Sequence, residues 1–347
     1  MKHLFLSTIM LAAFSCASAQ TKQLFNNDWQ FTLEGKTINV DLPHDWAISY
    51  APDPATGASG TDGGWYPGGK GEYRKRFATP KGEVVKLLFE GVYQKAVVLV
   101  NGQKAGQHAY GYTPFTVDIT PFLYRDKRLN EVLVKVDNSE QPNCRWYTGS
   151  GIYRHVWLET MPALHIAENG VVVTTPEVSS DKAVVKVETT INNESNRDRN
   201  AMVVIGESQM TVSVPAHQQK TVSTSFSVMN PKLWSPDNPF RYEVKAELKE
   251  NGNVIHQQSV YYGIRTFTCD AEKGFVLNGK PLLINGACVH HDDGVLGAMA
   301  FDAAEIRKVR QMKDAGFNLI RTSHNPTTRA FLDACDSIGM LVIGEAF

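Results

Sequence analysis

Short runs of alternating apolar and polar residues dominate residues 21–268. Residues 96–100 form one such run and lead into Asn101-Gly102, a dipeptide that favours a two-residue hairpin turn. Residues 132–136 and 184–187 have the same character. Because no stretch here has the period of a long amphipathic helix, the pattern predicts antiparallel β-sandwiches.

The length of this β region predicts two sandwiches rather than one. A boundary fits near Met161-Pro162-Ala163, directly after an apolar strand at residues 156–158. The first sandwich is then expected over residues 20–163. The second covers residues 164–268, close to the ~100 residues of an immunoglobulin-like domain.

The pattern changes after Cys269. A hairpin around Asn278-Gly279 and an apolar strand at residues 282–284 come first. Residues 302–315 and 325–338 then have helical spacing. Asp302 and Glu305 resemble a capping box at the start of the first helix. Asn325 and Pro326 have the character of an N-cap and the first helical residue of the second. Residues 319–320 and the apolar run 340–343 predict further strands, the latter buried on both faces of a parallel sheet.

The resulting order, β-α-β-α-β over residues 269–347, predicts the first strands and helices of a (β/α)₈ TIM barrel. A complete barrel needs ~250 residues. We therefore expect this domain to be incomplete and the chain to be truncated.

Composition limits the function classes. The chain has 347 residues, enough for two or three domains, and its 35 Lys and Arg nearly balance its 36 Asp and Glu. This balance argues against a nucleic-acid partner and gives no reason to expect attraction to anionic membranes. With 42% hydrophobic and 20% charged residues, intrinsic disorder is excluded as the main theme.

The N-terminus predicts export. A positive start at residues 1–3, an apolar run at residues 4–14 and the cleavage pattern Ala17-Ser18-Ala19 form a signal peptide over residues 1–19. A lipoprotein acylated at Cys16 fits less well because of the bulky Phe14. No other run reaches ~18 apolar residues, so we expect no membrane span. With its signal peptide, the protein is expected to be exported and to be periplasmic or extracellular.

Four cysteines remain after cleavage, and they are widely scattered: Cys144, Cys269, Cys288 and Cys335. Without clustered ligands they predict no zinc site. Disulfides stay open, although buried free thiols are the favoured interpretation.

Polar residues follow each of the three barrel-like strands. His290 and Asp292 follow the first, Arg321 and His324 the second, and Glu345 the third. Because carboxyl ends of parallel strands converge on one face, we expect these side chains to form a substrate-binding site. A strand-end histidine can also be structural, and Arg321 fits a scaffold ion pair as well as a substrate clamp. For Glu345 we favour a role in orienting its neighbours.

The run His290-His291-Asp292-Asp293 also admits a metal-dependent hydrolase that uses His290, His291 and Asp292. Four consecutive residues cannot all point inward, however, so no metal site and no cofactor is predicted. A divalent cation stays open.

A second cluster, residues 143–154, lies in the first sandwich. Arg145 and Trp146 precede a glycine-rich turn there and could reach toward the site of a neighbouring domain. The alternative is a core tryptophan followed by a tight turn.

Together these motifs resemble glycoside hydrolase family 2, the β-galactosidase, β-glucuronidase and β-mannosidase family. Residues 318–326 and 336–343 look like its strand-helix-strand signature, although Asn325 stands where many members have Tyr. Residues 262–267, 285–292 and 149–154 resemble the end of its immunoglobulin-like domain, its first barrel strand and its jelly-roll domain.

The resemblance implies an all-β jelly-roll sandwich, an immunoglobulin-like sandwich and then the barrel. It also implies retaining hydrolysis by two glutamates that follow the fourth and seventh barrel strands, expected beyond Phe347. Glu345 matches neither, and both catalytic residues would be missing from this chain. His290 and His324 match positions that contact the sugar and its transition state.

The expected function is therefore a retaining exo-β-glycosidase acting on a carbohydrate, foremost a β-D-galactoside, with this chain inactive by itself. A β-glucuronidase or β-mannosidase of the same family is the first alternative. A non-catalytic carbohydrate-binding protein is the second. Whether the full-length protein forms a homo-oligomer is left open.

Overall fold

The computed structural model describes residues 20–346, so the predicted signal peptide and Cys16 lie outside the described residues. Two antiparallel β-sandwiches are followed by a short hairpin sheet and a three-stranded parallel sheet with two helices. No helix among the described residues is long and apolar enough to cross a membrane.

The first sandwich packs a four-stranded sheet of order β1-β10-β5-β8 against a six-stranded sheet of order β3-β2-β4-β9-β6-β7. Its strands are β1 (Thr21–Leu24), β2 (Trp29–Leu33), β3 (Lys36–Val40), β4 (Gly69–Phe77), β5 (Val84–Phe89), β6 (Ala96–Val100), β7 (Gln103–His108), β8 (Phe115–Asp118), β9 (Asn130–Asn138) and β10 (Val156–Met161). The predicted hairpin is confirmed: Asn101 and Gly102 join β6 to β7, both with positive φ.

An aromatic cluster fills one end of this sandwich. Trp29, Phe31 and Tyr73 are buried together with Trp46, and Phe31 stacks on Trp46 at 5.3 Å between ring centroids. Burying several aromatic rings gives this small core a large apolar contact area. The cluster supports residues 44–46, of which Asp45 contacts the barrel domain.

The second sandwich packs sheets of order β11-β12-β15 and β14-β13-β16-β17. Its strands are β11 (Leu164–Val178), β12 (Lys182–Asn193), β13 (Arg199–Ile205), β14 (Ser208–Val214), β15 (Gln219–Met229), β16 (Tyr242–Glu250) and β17 (Asn253–Tyr262). The alternating residues of β12 and β13 point Val185, Val187 and Val203 into an aliphatic core, as the period of two requires.

The third part begins with the sheet β18-β19-β20, and the parallel sheet β21-β22-β23 follows. Its elements are β18 (Phe267–Asp270), β19 (Gly274–Leu277), β20 (Lys280–Pro281), β21 (Gly286–Val289), α1 (Asp302–Asp314), β22 (Leu319–Thr322), α2 (Arg329–Ile338) and β23 (Leu341–Gly344). Val309 of α1 and Phe331 of α2 pack with Ile320 of β22 in one small core.

The first parallel strand lies later in the chain than the apolar pattern predicts. Leu283 is 88% exposed, and the strand occupies Gly286–Val289 instead. Asn318 sets this register because its side chain accepts a hydrogen bond from the Asn285 amide at 2.9 Å and donates one to the Leu283 carbonyl at 2.8 Å. These side-chain hydrogen bonds therefore decide where the strand lies, and the position of the apolar run does not.

Helix α1 begins at Asp302 as predicted, but the predicted side-chain caps of both helices and the predicted start of α2 are wrong. Phe301 is the N-cap of α1 without a side-chain cap, and the carboxylate of Asp302 lies 3.0 Å from His155 Nε2 of the first sandwich instead. Helix α2 begins after Thr328, whose hydroxyl accepts a hydrogen bond from the Phe331 amide. Asn325 lies four residues before the first residue of α2 and is therefore not its cap.

The four described cysteines are free thiols. Cys335 is buried as expected, and Cys144 is partly buried. Cys269 and Cys288 are exposed, so the expectation of burial is wrong for these two.

Two histidines are buried where the sandwiches meet. His165 and His256 have ring centroids 5.8 Å apart, and the Ile166 amide donates to His256 Nδ1 at 3.3 Å. Burial lowers the pKa of His256 to about 3, helped by the nearby His165, and burial likewise lowers the pKa of His165. Both imidazoles are therefore neutral in the folded protein near neutral pH.

This pair predicts acid sensitivity. Unfolded histidine binds a proton near pH 6.5 and folded His256 only near pH 3, so the free energy of unfolding should fall as the pH drops through that window. Urea unfolding at pH 7.5, 6 and 5 measures the slope. His256→Gln should make the slope shallower, although buried His291 still contributes to it, whereas His217→Gln, at an exposed site, should leave the slope unchanged. Equal slopes in all three proteins would contradict this account.

Candidate functional site

The two predicted histidines meet at the carboxyl ends of neighbouring parallel strands. His290 follows β21 and His324 follows β22 by one residue. Their ring centroids are 5.4 Å apart, and the rings are nearly perpendicular, at 86°. The convergence expected from the sequence is therefore what the structure shows.

Trp146 reaches this position from the first sandwich. Its indole centroid lies 5.0 Å from that of His324 and 6.2 Å from that of His290. The indole Nε1 donates a hydrogen bond to the Tyr112 hydroxyl at 2.9 Å, which fixes the plane of the ring. Of the two interpretations of Trp146, reach toward a neighbouring domain is the one that the geometry supports. We call His290, His324 and Trp146 the ring cluster.

Glu345 follows β23 and contacts His324 of the ring cluster. Its Oε2 lies 2.9 Å from His324 Nδ1, and its Oε1 accepts a hydrogen bond from Arg321 Nε. Burial raises the pKa of Glu345, but the hydrogen bonds from His324 and Arg321 outweigh this and lower it below its ordinary value. The carboxyl is therefore ionised and accepts from both neighbours.

Arg321 also approaches the thiol of Cys288, with Nη1 3.6 Å from Sγ. The nearby Ser323 hydroxyl and the Arg321 guanidinium lower the pKa of Cys288. In this geometry Arg321 is the ion-pair partner of Glu345. Its direct contact with a substrate stays a prediction.

The charged groups of the other two predicted binding residues, Asp292 and Arg145, are not held in position by hydrogen bonds or ion pairs within residues 20–346. The backbone carbonyl of Asp292 lies 3.3 Å from Lys308 Nζ, but its carboxylate makes no hydrogen bond or ion pair within residues 20–346. Arg145 is exposed, and over the same residues its guanidinium has neither kind of partner. The binding roles of both stay predictions.

His291 points away from the ring cluster into the protein interior. Its side chain packs edge-on against Tyr112 and Tyr153, and its Nε2 lies 3.3 Å from the Thr148 carbonyl. Burial, followed by the positive charge of Arg154, lowers the pKa of His291 to about 3. His290 and His291 thus occupy different environments, which is unfavourable for a shared metal site with Asp292.

A buried charged layer lies beneath the strand ends, and the sequence patterns do not reveal it. Arg154 of the first sandwich donates to the Pro326 carbonyl at 2.8 Å and to the Tyr112 carbonyl at 3.0 Å. Glu305 of α1 accepts from the Thr328 hydroxyl at 2.7 Å, and burial raises its pKa. The only available signal was the position of Arg154 within the motif at residues 149–154.

Asp45 joins the first sandwich to the loop after β21. Its buried carboxylate accepts hydrogen bonds from the amides of Ala47, Ser150 and Ala298 at 2.9–3.0 Å and from the Tyr147 hydroxyl. Gly149 allows this approach, since its φ is +68° and a Cβ there would lie 2.4 Å from that of Ala298. We call this arrangement the Asp45 joint.

Within residues 20–346, no group of three His, Cys, Asp or Glu side chains is arranged to hold a metal ion. A concavity of about 610 Å³ lies on the second sandwich between residues 192–194 and 217–219. It is open and polar and contains none of the strand-end residues, so the ring cluster is the better candidate site.

Three family models match consecutive parts of the chain. The sugar binding domain of glycosyl hydrolases family 2 matches residues 66–162, the glycosyl hydrolases family 2 model residues 164–265, and the family 2 TIM barrel domain residues 270–347. The chain belongs to glycosyl hydrolase family 2. The resemblance inferred from the sequence motifs and the predicted multidomain fold class are both confirmed.

Curated relatives of this family 2 chain carry two kinds of name. The β-galactosidase BoGH2A of Bacteroides ovatus is 39% identical over 96% of this chain and 42% of its own length. A β-glucuronidase of Bacteroides fragilis is 30% identical over 97% of this chain and 51% of its own length. The chain thus spans about half or less of these relatives.

Solved structures of the family agree with the fold. A glycosyl hydrolase family 2 member from Bacteroides cellulosilyticus matches with a TM-score of 0.87 at 39% identity, over 94% of this chain and 46% of that one. A Bacteroides uniformis β-glucuronidase matches with a TM-score of 0.83 at 29% identity, over 94% of this chain and 42% of that one.

The Asp45 joint yields a stability prediction. Asp45→Asn replaces one acceptor oxygen by an NH₂ group that faces buried donors. We therefore expect the free energy of unfolding to fall by about 2 kcal/mol or more. Urea unfolding measures it. Asp41→Asn is the matched control, because within residues 20–346 the exposed Asp41 carboxylate accepts a hydrogen bond from the Asp28 amide alone. A loss no larger than that of the control would show that the joint contributes little.

Proposed function

We propose that the ring cluster binds the terminal sugar of a β-glycoside and that the full-length protein hydrolyses this bond with retention of configuration. The observation that carries the proposal is the meeting of His290, His324 and Trp146 at the carboxyl ends of the parallel strands. In barrel enzymes that edge of the sheet is where substrates bind.

The chemistry of the cluster suits a sugar ring. An indole offers an apolar face to the C–H bonds of the sugar, and imidazole nitrogens form hydrogen bonds with its hydroxyl groups. The ionised Glu345 accepts from His324 Nδ1, which assigns the proton to that nitrogen and leaves Nε2 for the ligand. Such contacts accelerate hydrolysis where they strengthen as oxocarbenium character develops.

Glu345 is proposed as a positioning residue rather than as the acid or the nucleophile. Retaining hydrolysis needs two carboxyl groups ~5–5.5 Å apart on either side of the glycosidic bond. Both oxygens of Glu345 are engaged by His324 and Arg321. We therefore infer that the two catalytic glutamates lie outside this sequence and that the 347-residue chain alone is inactive.

We propose a β-D-galactoside as the preferred substrate. The support is the 39% identity with a protein named β-galactosidase, higher than that with the β-glucuronidase of Bacteroides fragilis. The N-terminal pattern at residues 1–19 supports export to the periplasm or beyond the cell.

The substrate is tested with p-nitrophenyl β-D-galactoside, β-D-glucuronide and β-D-mannoside and the purified full-length protein. We expect chromophore release from the galactoside and none from the 347-residue chain. Turnover of only the glucuronide or mannoside would overturn the substrate but not the reaction class. Sugar binding without any turnover would favour a carbohydrate-binding protein, and loss of activity on exhaustive chelation would favour the metal-dependent alternative.

A second experiment tests the ring cluster. His324→Ala in the full-length protein should lower kcat/KM by ~10² or more, because it removes contacts that strengthen in the transition state. His217→Ala, at an exposed histidine of the second sandwich, is the control and should not change it. An unaltered kcat/KM in His324→Ala would reduce His324 to a structural residue.

A further inference from the structure

A small cavity lies directly beside the ring cluster, between the ends of β21 and β22. Its volume is about 10 Å³, and its walls include His290, His291, Ser323 and Asn325. A cavity of ~10–15 Å³ holds one water molecule when it offers two to four polar partners. The size therefore suits a single water and excludes a larger ligand.

Three buried polar atoms of these walls have no hydrogen-bond partner among residues 20–346. They are His291 Nδ1, Ser323 Oγ and Asn325 Nδ2. Ser323 and Asn325 are each 2% exposed as whole residues, and His291 is 8% exposed. Ser323 lies near the thiol of Cys288, but no hydrogen bond of normal geometry joins them. Because buried polar groups are almost always paired, these atoms point to a common partner.

The donors and acceptors match one water molecule. His291 Nε2 faces the Thr148 carbonyl, which can only accept, so Nε2 carries the proton and Nδ1 is an acceptor. Asn325 Nδ2 can only donate, and the Ser323 hydroxyl can do either. A water can donate to His291 Nδ1, accept from Asn325 Nδ2 and use its remaining proton or lone pair for Ser323.

We propose that this cavity holds one ordered water molecule, which hydrogen-bonds His291, Ser323 and Asn325 and so joins the ends of β21 and β22. Each of these residues is adjacent in sequence to a histidine of the ring cluster: His291 follows His290, and Ser323 and Asn325 flank His324. The water thus ties together the two backbone segments that carry the imidazoles.

The direct test is a crystal structure of the unaltered full-length protein at about 1.5 Å resolution. We expect a single spherical density peak within hydrogen-bonding distance, ~2.7–3.2 Å, of His291 Nδ1 and Asn325 Nδ2. A collapsed cavity, or a direct hydrogen bond between these side chains, would overturn the proposal. The result is independent of any sugar turnover, so it can fail while the proposed function stands, or hold while that function fails.

Substitution gives a second readout. Asn325→Leu removes the amide donor and fills the cavity, and with a bridging water we expect the melting midpoint to fall by about 3 °C or more. Asn196→Leu, at an exposed site, is the matched control. If Asn325 is an unpaired amide without a water, its replacement by an apolar side chain should leave the midpoint unchanged or raise it, which would contradict the proposal. Should this variant fail to fold, the structure of the unaltered protein decides alone.

Discussion

The buried carboxylate of Asp45 is the interaction on which the candidate site depends. It accepts hydrogen bonds from backbone amides of the first sandwich and from the Ala298 amide of the barrel domain. A carboxylate withdrawn from water is costly unless each oxygen is paired, so the geometry of this joint is tightly constrained. Since Trp146 and Tyr147 are neighbours, the same constraint places the indole against the two imidazoles.

The polar groups around the site divide into two electrostatic kinds. His291 is neutral because burial and the charge of Arg154 oppose protonation. Glu345 is ionised because His324 and Arg321 donate to it. A neutral imidazole therefore lies beneath the ring cluster, and an ionised carboxylate is hydrogen-bonded to its His324.

Local features of this structure could be predicted from the sequence. Asn101-Gly102 and Asn278-Gly279 specify their turns through positive φ, and the meeting of His290 with His324 follows because parallel strands share one carboxyl edge. These inferences need only neighbouring residues or a general rule of topology. The same rule holds for the position of Glu345 after the third strand.

Features that depend on contacts between domains could not be predicted in this way. Asp302 and Glu305 have the spacing of a helix cap, yet Asp302 contacts His155 of the first sandwich and Glu305 is buried against Thr328. The sequence also leaves Trp146 open between a core position and reach toward another domain. Contacts between domains form only when distant segments pack, and local periodicity does not indicate which residues those contacts join.

The Asp45 joint also has a consequence for the order of assembly during synthesis. Asp45, Trp146 and Arg154 all precede the barrel segment in the chain, and domains generally fold as they leave the ribosome, the N-terminal one first. Once folded, the first sandwich therefore presents these three residues as a binding surface for the nascent β21 and the loop that follows it. The loop after β21 can therefore pair with Asp45 before β22 and β23 have formed, so the sandwich can position the first parallel strand ahead of its neighbours.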